Sequence, residues 1–163
     1  MILPSATLAL AVLAASPAQT IDLGDFNQPR PAHAQRVTFD PTPLTVTAGK
    51  PDWIELRFQV QPRVHVNSHA PHDELLIPTT LRLATSPQLR LLTDEYPAGK
   101  PLHLNIGAGE TLSTYEGPFR IRLQVLAPKG ETTLTGTLHY QACDTAACFP
   151  PRDLPVSVPL SAR

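Results

Sequence analysis

The sequence predicts an all-β fold, an antiparallel β-sandwich, and three observations carry that prediction. Apolar residues recur with period two along several stretches, as they do on a strand with one buried face. Turn signals such as Ala48-Gly-Lys-Pro51, Pro97-Ala-Gly-Lys-Pro101, Glu116-Gly-Pro118 and Pro128-Lys-Gly130 separate those stretches at short intervals. Proline is abundant, 19 residues against 8 glycines, and it removes backbone donors and interrupts helices.

The elements follow in order. Residues 1–19 hold an uncharged apolar run, Ile2 to Ala15, then the small residues Ala14-Ala15-Ser16 and Ala18. That is the pattern of a secretory signal peptide, although no Lys or Arg precedes Arg30. The run is too short for a membrane span, which needs about 20 apolar residues. Residues 20–35 are polar and proline-bearing, a flexible lead-in, and residues 36–163 form the folded domain.

Within that domain, Trp53 to Val60 alternates strictly, with Ile54, Leu56, Phe58 and Val60 on one face and Glu55, Arg57 and Gln59 on the other. Phe119 to Val125 does the same with Arg120, Arg122 and Gln124 facing water. Thr132 to Tyr140 turns Leu134, Leu138 and Tyr140 inward, and Leu154 to Leu160 alternates with both prolines on one face, as on an edge strand. Shorter strands are expected at Val37–Phe39, Leu44–Thr47, Val64–Val66, Thr80–Leu83, Leu89–Leu92 and Leu102–Ile106.

At 163 residues the chain is long enough for one domain with a sizeable core. Lys and Arg number 13 against 14 Asp and Glu, which leaves no electrostatic footprint for nucleic acid or an anionic membrane. No segment of the mature chain is apolar and long enough to insert into a bilayer. Gly107-Ala-Gly109 is too short for a phosphate cradle, and no nucleophilic serine motif is present. No cofactor is called for.

The chemistry concentrates at the two cysteines, Cys143 and Cys148. A bridge between them would close so small a loop that it stabilises little, roughly 2 kcal/mol by the chain-entropy relation. Such a pair can form, break and reform without unfolding anything else, so redox exchange is the first reading. The pair follows the strand Thr132–Tyr140 directly and is closed by Pro150-Pro151, which places it on an accessible surface turn. Asp144 adjoins Cys143, no cation lies between the cysteines, and no helix start is near, so the thiols should be weak nucleophiles that wait for an activated partner. Arg152 is the nearest cation in sequence. An inert structural disulfide and a metal site remain as alternatives.

Tyr140-Gln-Ala-Cys143 followed by Cys148-Phe-Pro-Pro151 resembles the active-site segment of the amino-terminal periplasmic domain family of the thiol:disulfide interchange protein DsbD. Val64 to Pro71, Leu76 to Thr79, Tyr96 to Lys100 and Tyr115 to Gly117 are similar to that family as well. The resemblance implies an immunoglobulin-like sandwich in the periplasm that takes electrons from a membrane thiol reductase and passes them to thioredoxin-fold oxidoreductases. It implies further that Cys148 forms mixed disulfides, that Cys143 resolves them, and that His65 and Asn67 line the surface beside them. A cap loop shields the pair in the family; the equivalent here is Leu102 to Tyr115, with Gly107-Ala-Gly109 allowing movement and Leu104, Ile106 or Tyr115 available to cover the disulfide. The gap between the cysteines is one residue shorter than is usual in the family. The resemblance reaches only the amino-terminal domain, so the electron donor is expected on a separate protein.

A second function class rests on His65, His69 and His72, which fall close together in sequence and suit zinc or copper. In an extended chain His65 and His69 stand about 13 Å apart. Only a turn at Asn67-Ser68 would bring them together. Under this reading the domain is a non-catalytic secreted β-sandwich with a structural disulfide that binds a metal ion or a partner protein.

Overall fold

A computed structural model describes residues 35–84, 86–103 and 111–163. The proposed signal peptide and nearly all of the lead-in lie outside the described residues. Among those described, twelve strands follow in chain order, beginning with β1 (Val37–Phe39), β2 (Leu44–Val46), β3 (Asp52–Val60), β4 (His65–Asn67), β5 (Thr80–Leu83) and β6 (Arg90–Glu95). They continue with β7 (Lys100–His103), β8 (Thr111–Tyr115), β9 (Pro118–Leu126), β10 (Gly130–Tyr140), β11 (Ala142–Cys143) and β12 (Arg152–Ala162). No helix interrupts them among the described residues. The immunoglobulin-like β-sandwich expected from the sequence is the fold observed.

One sheet runs β1-β3-β9-β6 and is antiparallel throughout. A second runs β2-β12-β10-β5, antiparallel except for the parallel pair β12–β2. Their apolar faces meet in one core, where Leu56, Ile121 and Leu123 of the first sheet are joined by Leu134, Leu138, Val156 and Leu160 of the second. The alternation read from the sequence decides this. In β3 and β9 every second residue is buried, and the intervening Arg57, Arg120 and Arg122 stay at the surface among Glu55 and Glu95. Such exposed ion pairs add little to stability.

Phenyl and phenol rings extend the core toward one end. Phe39, Phe58, Phe119 and Tyr115 form a chain of contacts with centroid spacings of 5.3, 5.2 and 4.9 Å. Tyr115 belongs to a third small sheet, β11-β4-β8-β7. Its hydroxyl donates to Pro97 O and accepts from the His69 N–H, so the aromatic chain ends in satisfied polar contacts.

Two expectations change. Strands β8 and β11 were not anticipated, because Thr111–Tyr115 carries no clean alternation and β11 is too short for a period. The prolines of β12 were expected on an edge strand, yet β12 lies between β2 and β10. The physical reason still holds locally. β2 covers only Leu160 to Ala162, leaving the flank of β12 at Pro155 and Pro159 open. The Arg163 N–H donates to Val46 O on the β2 side. Pro155 and Pro159 lie an even number of residues away, so the pleat turns their donor-less nitrogens to that same side. The ladder to β10 loses nothing.

Close approach of β5 to β10 depends on Gly136, which stands opposite Leu83. A Cβ at this position would sit 2.6 Å from Arg82 O and 3.2 Å from Leu83 Cα, both backbone atoms that cannot swing aside. Gly136→Val should therefore destabilise the domain by about 1–3 kcal/mol. Urea unfolding measures this; an unchanged midpoint would show that β5 is not held at that distance.

Candidate functional site: the cysteine hairpin

Strand β10 delivers the cysteines. Its last residue, Tyr140, is fully buried, and its hydroxyl accepts from the Arg36 N–H and donates to Gln35 Oε1. The chain then leaves the second sheet through Gln141 and enters the third as β11. Gln141 fixes the transfer three ways. Its carbonyl accepts from the Asn67 N–H, its Oε1 from Asn67 Nδ2, and its Nε2 donates to Phe149 O.

In β11, Ala142 pairs with Val66 and Cys143 with His65. The chain then turns back on itself. The Phe149 N–H donates to Ala142 O at 2.8 Å and the Asp144 N–H to Ala147 O at 3.0 Å, which places Cys143 directly opposite Cys148. These flanking bonds make the cysteines a non-hydrogen-bonded pair, the antiparallel position where side chains come closest. The two are joined as a disulfide with Cα atoms 3.9 Å apart. Pro150 and Pro151 lack N–H groups and end the return strand.

The cysteines are not equivalent. Cys143 is 2% exposed, held between β4 and the return strand, whereas Cys148 is exposed. The accessible turn expected from the sequence therefore describes Cys148 alone. Burial of Cys143 follows from the pairing of β11 with β4, the strand whose His65 and Asn67 the resemblance set beside the cysteines, although no periodicity pointed to it.

Asp144 has a different part from the one its charge suggested. Its Oδ1 accepts from the Ala146 and Ala147 N–H groups at 2.8 and 2.9 Å, closing the turn between the cysteines. Those backbone bonds hold its carboxyl below the usual value of 3.8, helped by the charges of Arg36 and His65. Arg36 itself was missed. It lies more than a hundred residues before the hairpin, yet its guanidinium sits 4.3 Å over the Phe149 ring, one residue from Cys148. No local pattern in the sequence links those two places.

His65 is buried opposite Cys143, and burial pushes its imidazole below the usual 6.5, partly offset by Glu116 and Asp144. A cleft of about 660 Å³ opens beside it, lined by Arg63, His65, His103, Glu116, Asp144 and Thr145 among others. Asn67 is also buried next to this segment, donating to Ile77 O.

The cap candidate is bounded by the antiparallel pair β7–β8. Leu104, Ile106 and Gly107-Ala-Gly109 lie outside the described residues. Tyr115 does not cover the disulfide. It stands opposite Val66, next in the ladder to Ala142, so its ring projects from the face opposite to that of His65 and Cys143. There it packs on Phe119 in the core.

The histidines do not converge. His69 stacks on Tyr96 with centroids 3.6 Å apart and its Nδ1 donates to Thr79 O. His72 is directed to Thr111 O, and His65 faces the cysteine hairpin. No group of three or more side chains able to hold a metal occurs among the described residues. The chain does turn after Asn67, but Ser68 is tied to Ser113 and Thr79, which sends His69 away from His65.

Fold and site together define a β-sandwich that carries a disulfide on a short hairpin, with one cysteine sheltered and the other exposed. The chain belongs to the family described as thiol:disulfide interchange protein DsbD, N-terminal, which matches residues 28–158. No curated protein matches. Among solved structures, the chain is similar to the reduced DsbD N-terminal domain of Neisseria meningitidis at 14% identity and TM-score 0.45, covering 68% of this chain and 78% of that one. It is similar also to the N-terminal periplasmic domain of ScsB from Proteus mirabilis at 16% identity and TM-score 0.49, covering 74% of this chain but only 43% of the other.

The role of Asp144 has a pH signature. A depressed carboxyl pKa contributes stability that is present above its ordinary 3.8 and lost as pH falls through the folded value. The Ala146 and Ala147 amide resonances should therefore shift together, with a midpoint below 3.8, in an acid titration followed by NMR. A midpoint at or above that value would mean that the carboxylate does not close the turn.

Proposed function

We propose that this chain is a periplasmic electron relay that passes two electrons through the Cys143–Cys148 pair to thioredoxin-fold oxidoreductases. A membrane thiol reductase supplies them. Residues 1–19 serve as the export signal and residues 20–35 as the lead-in to the domain. Membership of the DsbD N-terminal family and the disulfide itself support interchange chemistry. The observation that carries the assignment of roles is the unequal exposure of the two cysteines.

In the reduced chain, the Cys148 thiolate attacks the partner's disulfide, forming a mixed disulfide and expelling the partner's first thiolate. Cys143 then attacks Cys148 Sγ, the bond to the partner breaks, and the partner leaves fully reduced. An incoming sulfur needs an in-line path to the one it attacks, and Cys148 offers that path while Cys143 is covered by β4 and the return strand. Cys143 needs only to reach Cys148, which it faces.

Cys143→Ser should trap a mixed disulfide with a thioredoxin-fold partner through Cys148, seen as a band lost on reduction in non-reducing electrophoresis. Trapping by Cys148→Ser instead would reverse the roles. Equilibration in dithiothreitol buffers should give a potential above about −300 mV, since structural disulfides lie below it. A value well below that would identify an inert bridge.

A further inference from the structure

We propose that His65 is the proton acceptor for Cys143 in the resolving step, a role that rests on the relay reading above. Three adjacent strand segments place Cys148, Cys143 and His65 at directly opposing positions. Directly opposing residues of an antiparallel pair project from the same face, with Cβ atoms about 4.5–5.5 Å apart. The imidazole thus flanks Cys143 on one side while Cys148 flanks it on the other.

The second observation is polar. His65 Nε2 is buried and has no hydrogen-bond partner among the described residues. A buried nitrogen without a partner is costly and calls for a reason. The structure holds the oxidised pair, in which Cys143 Sγ carries no hydrogen. Reduction restores an S–H donor beside the imidazole, so the nitrogen lacks a partner in the redox state that removes the donor.

Burial keeps the ring in the accepting form against the pull of the carboxylates around it. Glu116 follows β8, Asp144 follows β11, Arg63 precedes β4 and His103 belongs to β7, and all four line the same cleft. Burial outweighs the two carboxylates and holds the imidazole below 6.5, hence neutral at pH 7. The carboxylates still favour the imidazolium at the moment it forms.

The step balances. Cys143 Sγ–H gives its proton to Nε2, and the sulfur's electron pair forms the bond to Cys148 Sγ. The Cys148–partner bond breaks with its electron pair on the partner sulfur. The imidazolium then returns the proton to that thiolate or to water. Two electrons have left the pair, and the histidine is unchanged.

The test uses the reduced full chain and the chromogenic disulfide 5,5′-dithiobis(2-nitrobenzoate). The first thiolate released reports attack by Cys148, and the second reports resolution by Cys143. In the unaltered chain the second phase should rise with pH along the His65 imidazole titration, followed separately by NMR, and level off above it. A second phase that climbs steadily toward the thiol titration, with no limb at the imidazole value, overturns the proposal without any variant. His65→Phe should slow the second phase about 10²-fold at pH 7 while leaving the first phase unchanged. His65→Gln, which keeps hydrogen-bonding capacity but not basicity, should be equally slow; recovery of the full rate in that variant would assign His65 a structural part and overturn the proposal. Absence of the first phase in the unaltered chain would instead sink the relay reading itself.

Discussion

The functional end of this domain depends on the transfer of the chain from one sheet to another at Gln141. β10 is locked along its whole length to β12 and over part of it to β5, so its end cannot drift. Tyr140 ties that end to Gln35 and Arg36, and Gln141 bonds to both β4 and the return strand. The cysteine hairpin is therefore one of three strands whose register descends from the core. A slip of one residue would turn Cys143 to the face now occupied by Ala142. Redox chemistry on a loop of this size is feasible because its anchoring side is not a loop at all.

That anchoring also separates the two sulfurs. A free surface turn would expose both cysteines alike and leave no preference for which one a partner meets. Pairing of β11 with β4 buries one member and leaves the other at the rim. The same pairing brings His65 against the buried member, while Arg36 reaches the segment after the exposed one through Phe149. The anion Asp144 is spent on closing the turn, held by two backbone amides. Its effect on the thiols is thus structural as well as electrostatic, and a reading of charge by sequence neighbours alone overstates the second.

The sandwich was legible because its long strands alternate along most of their length. β3 and β9 bury alternate side chains, and in β10 Leu134, Leu138 and Tyr140 keep the same period. In the third sheet β4 and β7 were legible only as short candidates, at Val64–Val66 and Leu102–Ile106, and β8 and β11 were not legible at all. β4 is buried at all three positions and β11 has only two residues, so neither can show a period. Their existence is decided by partners far away in sequence, Val66 for Ala142 and His65 for Cys143. The same limit hid Arg36 and misdirected the histidines. Proximity in sequence brought His65, His69 and His72 together on paper. Ser68, hydrogen-bonded to Ser113, and Thr79, hydrogen-bonded to Asn67 O, send the chain elsewhere.

The spacing of the cysteines, one residue shorter than the resemblance to the family leads one to expect, has a geometric account. A separation of five positions places both residues at a single non-hydrogen-bonded pair when the intervening hairpin loop is the two residues Thr145 and Ala146. One further residue would require a three-residue loop with its bulge, and an additional residue between the same two ladder positions. The shorter gap is thus the tighter solution to the same requirement, that two sulfurs share one face. The turn here contains no glycine, and Asp144 supplies the closure by taking the Ala146 and Ala147 amides on its side chain. An Asx-type closure of this kind needs an acceptor at the first position of the turn. Asp144, directly after the buried cysteine, is the residue placed to provide it.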